Sequence, residues 1–123
     1  MENRELDALV AEKVMGIRVK AVPIPAKFVS QETDGKPWGH VEHYSTDIAA
    51  AWEVVEKMLD QMEKPNCYEV GRTEPGSGKQ HYAQFSYFHL TTKEYRYFTS
   101  KDKRVTRAIC LAALKAVGVE VPA

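Results

Sequence analysis

Neither sign of charge is in excess in this chain. Lys plus Arg number 17 and Asp plus Glu number 17, so the formal net charge is zero. A dedicated nucleic-acid-binding domain usually carries a clear basic surplus, so that class is set aside. Long apolar runs are also missing. Nothing approaches the roughly 20 residues that span a bilayer, and the opening segment is an amphipathic acidic–basic pattern, not a signal peptide. Cysteine is scarce: Cys67 and Cys110 are the two, with no C-x-x-C pair. That removes disulfide-dense scaffolds and zinc ribbons. The expectation is a cytoplasmic protein, in which a Cys67–Cys110 bond is disfavoured.

What the chain does contain suits one domain, residues 1–123, of ordinary globular composition. Its clearest element is the stretch from Tyr44 to Leu59. Ile48, Ala51, Trp52, Val55, Met58, Leu59 and Met62 recur at helical spacing and predict one buried stripe. Ser45 or Thr46 suits the N-cap, and Asp47 the positive end of the helix dipole. Glu53 with Lys57, and Asp60 with Lys64, are spaced as i,i+4 ion pairs.

Around it the chain reads in order. Asn3 caps a first helix that buries Leu6, Leu9, Val10 and Val14 and stops at Gly16. Ile17–Val22 is a short edge strand, and Pro23 and Pro25 interrupt it. Lys27–Ser30 is a further brief extended piece, and Thr33–Pro37 is a turn by composition. Cys67–Arg72, His81–Leu90 and Tyr95–Phe98 predict a three-stranded antiparallel meander, with 73–80 as a hairpin loop. Ser100–Asp102 opens a last helix that runs to about Val117 and ends at Gly118. Its apolar run Ala108–Leu114 predicts burial on more than one side. The fold class is α+β. On the 81–90 strand Ala83, Phe85 and Tyr87 share one face, and the other, with Gln84 and Ser86, reads as more polar and partly open.

No constellation of acid, base and nucleophile stands out. Glu74–Gln80 resembles a phosphate loop only in part: Thr73 stands where glycine is needed, Gln80 where Ser or Thr is needed, and a strand follows. His40 and His43 have H-x-x-H spacing, but further ligands would have to come from Cys67, His81 or His89 through the fold, so no metal site is assigned. Cys110 lies among apolar neighbours, unlike a reactive thiol. No catalytic residue and no cofactor is assigned.

One charge asymmetry remains. Between Lys93 and Arg107 the bases Lys93, Arg96, Lys101, Lys103, Arg104 and Arg107 face only Glu94 and Asp102. Tyr95 and Tyr97 interleave with them, offering rings for base stacking beside cations for phosphate. Trp38, His40, His43 and Tyr44 form a second aromatic and hydrogen-bonding group. The candidate ligand set is therefore Trp38, His40, His43, Tyr44, Tyr95, Arg96, Lys103 and Arg104. The bland reading of the same residues is a solvated basic helix start and a tryptophan that plugs the core.

Three blocks carry a family resemblance. YSTDIAAAWEVVEKM (Tyr44–Met58), the opening Asn3–Gly16 and the closing Ala108–Ala116 resemble, in order, the phage alpha-beta-alpha sandwich domain family. The resemblance implies a small bacteriophage or prophage protein, acting in the host cell, with helices on both faces of its sheet. It implies no established reaction and supplies no catalytic residues. Three functions then compete. The first is a non-enzymatic binder that sequesters a small anionic nucleotide-type ligand to counter host defence, with the site open to completion across a homo-oligomer boundary. The second is a module that inhibits a host or phage protein, which a conspicuous exposed apolar patch would favour. The third is an enzyme of unknown class.

Overall fold

Helix α1 (Asn3–Lys13) forms because Leu6, Val10 and Val14 fall on one face, and all three are buried. It belongs to a computed structural model that describes residues 2–21, 28–31, 39–73 and 81–120. Its N-cap is Glu2, with no side-chain cap bond. Asn3 does not cap because its side-chain oxygen accepts a hydrogen bond from Arg107 instead. Gly16 follows the helix at φ +72, a left-handed conformation that glycine adopts without strain. The chain continues as β1 (Arg18–Ala21), β2 (Phe28–Gln31), β3 (Gly39–His40), α2 (Ile48–Gln61), β4 (Asn66–Arg72), β5 (His81–His89), β6 (Glu94–Asp102) and α3 (Val105–Ala116). The Pro23–Pro25 segment, the 33–37 turn, Trp38 and the 74–80 loop lie outside the described residues.

The strands form two antiparallel sheets, ordered β1-β2-β3 and β4-β5-β6. The second is the meander that alternation predicts. The first joins the two short extended pieces, with Val19 opposite Ser30 and Val29 opposite His40. Strand β6 is longer than Tyr95–Phe98. It stays paired to β5 as far as Asp102, opposite His81, because β5 offers partners along its whole length. Residues 100–102 are therefore strand, and α3 begins only at Val105, with Arg104 as N-cap.

Helix α3 is the central element. It packs on β5 and β6 and against both α1 and α2, and Ala108, Ile109, Cys110, Ala112, Ala113 and Leu114 are all buried. The alanines let backbones come close, and each large apolar side chain here contributes about 1.5–3 kcal/mol. Phe85 completes this core from β5, with its ring 5.2 Å from that of Tyr68. Burial, with the Asp7 carboxylate nearby, pushes the Cys110 thiol up, the direction that disfavours a thiolate.

Helix α2 forms as predicted but presents a different stripe. Ala50, Ala51, Val54, Val55 and Met58 are buried. Trp52 is 51% exposed and Ile48 57% exposed. Small alanines on the α3 side draw α2 in along Ala50 and Val54, which turns Trp52 to the rim. There it meets Tyr68 edge-on, ring centroids 6.0 Å apart. The N-cap is Asp47, whose side chain accepts from the Ala49 N–H at 2.9 Å, in place of Ser45 or Thr46. Ser45 is committed elsewhere. Neither Glu53–Lys57 nor Asp60–Lys64 forms an ion pair among the described residues.

A buried carboxylate holds the helices in register. Asp7 is fully buried on α1. It accepts from the Ser45 N–H at 2.7 Å and from Arg4 at 2.8 Å. The Arg4 guanidinium also donates to the Val41 carbonyl at 2.9 Å. The Ser45 hydroxyl donates to the Asn3 carbonyl at 3.2 Å, and the Ser45 carbonyl accepts from Thr106 Oγ1 at 2.6 Å. Removing the Asp7 carboxylate takes the counter-ion from the partly buried Arg4 guanidinium and leaves the buried Ser45 N–H without an acceptor. Asp7→Ala is therefore expected to destabilise by about 3–5 kcal/mol, whereas Trp52→Ala, at the rim, should cost about 1 kcal/mol. Urea denaturation of the two variants checks the order, and a larger loss for Trp52→Ala would contradict it.

Tyr44 is 1% exposed, so it is part of the core. Burial first, then the negative charge of Glu42 and Glu53, pushes its hydroxyl up to about 12. Burial alone takes Tyr68 to about 12. In the unfolded chain a tyrosine ionises near pH ~10. The stabilisation is thus fully present below about pH 10 and is lost as pH rises towards about 12. Tyr44→Phe should flatten the fall in stability across that window, with the Tyr68 contribution remaining. Denaturation midpoints measured against pH test this, and an unchanged slope would contradict it.

Candidate functional site

Two regions bear on function: a polar corner and an open sheet face. The corner is where α1, the turn before α2 and the start of α3 meet. His43 Nδ1 lies 3.1 Å from the Arg4 guanidinium. Arg107 donates to Asn3 and, at 3.3 Å, to Asp102. The Arg104 N–H donates to Asp102 at 3.1 Å. Two of the bases here, Arg4 and Arg107, are thus already neutralised by Asp7 and Asp102, which leaves Lys103 and Arg104 as the exposed cations.

The sheet face follows from register. Alternation turns Ala83 and Phe85 towards the helices and sets Tyr82, Gln84, Ser86 and Phe88 on the other side. Their partners there are Lys101, Thr99, Tyr97 and Tyr95 on β6, and Gly71, Glu69 and Cys67 on β4. No described helix covers this side, and Tyr95 and Tyr97 are 60% and 58% exposed. Phe88 and Tyr95 rings lie 5.1 Å apart and Tyr95 and Tyr97 rings 6.1 Å apart. Three aromatic rings thus form a contiguous platform. Below it the polar groups pair with one another. Thr99 Oγ1 donates to Gln84 at 2.7 Å, and Cys67 Sγ lies 3.0 Å from Ser86 Oγ. The Tyr82 ring lies over Gly71, where any Cβ would collide with it, and its hydroxyl bonds to Glu69. Lys101 stands exposed on the same face, and Lys93 in the turn that leads into β6.

The eight sequence-predicted residues do not converge. Trp38 lies outside the described residues, and His40 is exposed on β3. His43 lies on the corner against Arg4. Tyr44, the next residue, lies in the core and offers no ring to a ligand. The Ser45–Thr106 bond does bring the 43–45 turn to the start of α3. Lys103 and Arg104, however, precede the helix instead of occupying its first turn. Tyr95 lies on the open platform, whereas Arg96 points to the opposite side, paired with Tyr87. Phe88, Tyr97 and Lys101 complete the platform instead. Strand parity on β6 carries that signal, because 95, 97, 99 and 101 share one face once the strand is known to reach Asp102.

An open cleft of about 540 Å³ lies at the α1–β1 corner, lined by Glu12, Gly16, Ile17, Arg18 and Val19, and none of the described candidate residues lines it. Among the described residues no cluster of three or more His, Cys, Asp or Glu could hold a metal ion. Both cysteines are free, Cys67 exposed and Cys110 buried. No described helix is long and apolar enough to cross a membrane.

No curated protein and no solved structure matches the chain. A family model described as the Phage ABA sandwich domain matches residues 8–114, which include α1 from Ala8, the β4-β5-β6 sheet and nearly all of α3. The chain, an α+β fold of helices on a three-stranded antiparallel sheet, belongs to the phage ABA sandwich domain family.

Proposed function

We propose that this phage-family protein is a non-enzymatic binder of a small anionic nucleotide-type ligand. Its bases stack on Phe88, Tyr95 and Tyr97 and its phosphates meet Lys93 and Lys101. The observation that carries the reading is the pair of neighbouring tyrosines, 60% and 58% exposed, on a sheet face with no described helix over it. Exposed rings gain by stacking, at about 1–3 kcal/mol per base. One base on a flat face therefore binds weakly. Adjacent rings favour a ligand with two bases, and the lysines add a charge attraction that salt screens. On this reading the ligand is held unchanged. Sequestration of a signalling nucleotide in the host cytoplasm is the role that such a binder would serve for a phage.

Calorimetry with linear and cyclic dinucleotides tests this. Wild type should bind a dinucleotide at least about tenfold more tightly than the matching mononucleotide. Tyr95→Ala with Tyr97→Ala should abolish binding while circular dichroism stays native. Arg96→Ala should bind as wild type does. Undiminished affinity in the folded double tyrosine variant, or no dinucleotide binding at all, would overturn the reading.

A further inference from the structure

A second exposed apolar surface lies at the other edge of the sheet, where α2 runs beside β4. Ile48 and Trp52 are one helical turn apart, 57% and 51% exposed, and Trp52 contacts Tyr68. Val70, two residues along β4 on the same face as Tyr68, is 43% exposed. Side chains of this size left at a rim are covered by a partner more often when they adjoin one another than when they are scattered. The bordering side of α2 carries Glu53, Glu56 and Asp60 against Lys57, all exposed. None of the four makes an ion pair among the described residues. On a helical projection Glu56 follows Trp52 by one turn, and Asp60 follows Glu56 by another. The acids therefore line the solvent edge of the apolar patch.

We propose that this α2–β4 edge is a docking surface for a protein segment with an apolar anchor flanked by Lys or Arg, in the form of a cationic amphipathic helix. The anchor covers Trp52, Ile48 and Val70, and the flanking cations meet Glu53, Glu56 and Asp60. Charge complementarity selects this occupant. An anionic membrane surface would be repelled by the same three carboxylates. The surface is separate from the Tyr95–Tyr97 platform, so each can fail without the other.

The probe is a short amphipathic Leu/Lys peptide, with a Leu/Glu peptide of the same pattern as control. Both are titrated into the full chain while the Trp52 indole N–H is followed by NMR, its signal identified with Trp52→Phe. The Leu/Lys peptide should shift that signal saturably and lose about tenfold in affinity between low and physiological salt. The Leu/Glu peptide should leave it unmoved. Combined Glu53→Lys, Glu56→Lys and Asp60→Lys substitutions, all at exposed positions, should reverse the preference. Equal binding of both peptides, binding of neither, or an unchanged preference in the charge-reversed chain would overturn the proposal. So would sedimentation showing that the chain self-associates through Trp52, which would give the surface to a second copy.

Discussion

The arrangement depends on one buried carboxylate. Asp7 is on α1, and besides Arg4 of the same helix it is tied to other parts of the chain: the Ser45 N–H before α2 and, through the Ser45 carbonyl, Thr106 on α3. A carboxylate in an apolar interior is tolerated only when its oxygens are satisfied. Here Arg4 supplies the charge and the Ser45 N–H the second bond. The starts of α1, α2 and α3 are thereby fixed at one corner. With that corner closed, α3 lies across β5 and β6, and Ala83 and Phe85 become the covered face of the sheet. The face bearing Phe88, Tyr95 and Tyr97 is left without a described helix.

The same geometry distributes the charge of a chain whose net charge is zero. At the corner, Arg4 and Arg107 are held by Asp7 and Asp102 and serve the fold. On α2 the acids make no ion pair among the described residues, and on the β6 side Lys93, Lys101, Lys103 and Arg104 are exposed. The apolar patch beside the acids and the aromatic platform beside the lysines lie at opposite edges of the β4-β5-β6 order. The two proposals accordingly assign them ligands of opposite charge, a cation at one edge and an anion at the other.

Much of the fold is legible in the sequence, because periodicity reports which elements exist. α1, α2, α3 and the β4-β5-β6 meander all follow from spacing and side-chain type. Properties that depend on distant partners are not legible. The α2 period allows either Trp52 or Val54 at the centre of its buried face, and the choice is made by alanines that pack on α3. Ser100–Asp102 has the composition of a helix start, yet pairing with His81–Ala83 keeps it in the strand. Asp7 looks like any exposed helix acid until Ser45 is brought to it. Most of the candidate ligand residues are near neighbours in sequence. In a strand, closeness puts neighbours on opposite faces, which is why Tyr95 and Arg96 part. Tyr44 reads as a site residue beside two histidines, but the turn that holds Ser45 on Asp7 takes it into the core.

On the proposed reading the sheet face that no described helix covers, and not the polar corner, receives the ligand. Amide chemical-shift mapping during titration of the uniformly labelled chain with a dinucleotide tests it most directly. The account predicts saturable shifts concentrated at Ser86, Phe88, Tyr95, Tyr97 and Lys101, with His43, Lys103 and Arg104 little changed. Shifts concentrated instead at His43, Lys103 and Arg104, with Tyr95 and Tyr97 unmoved, would contradict it.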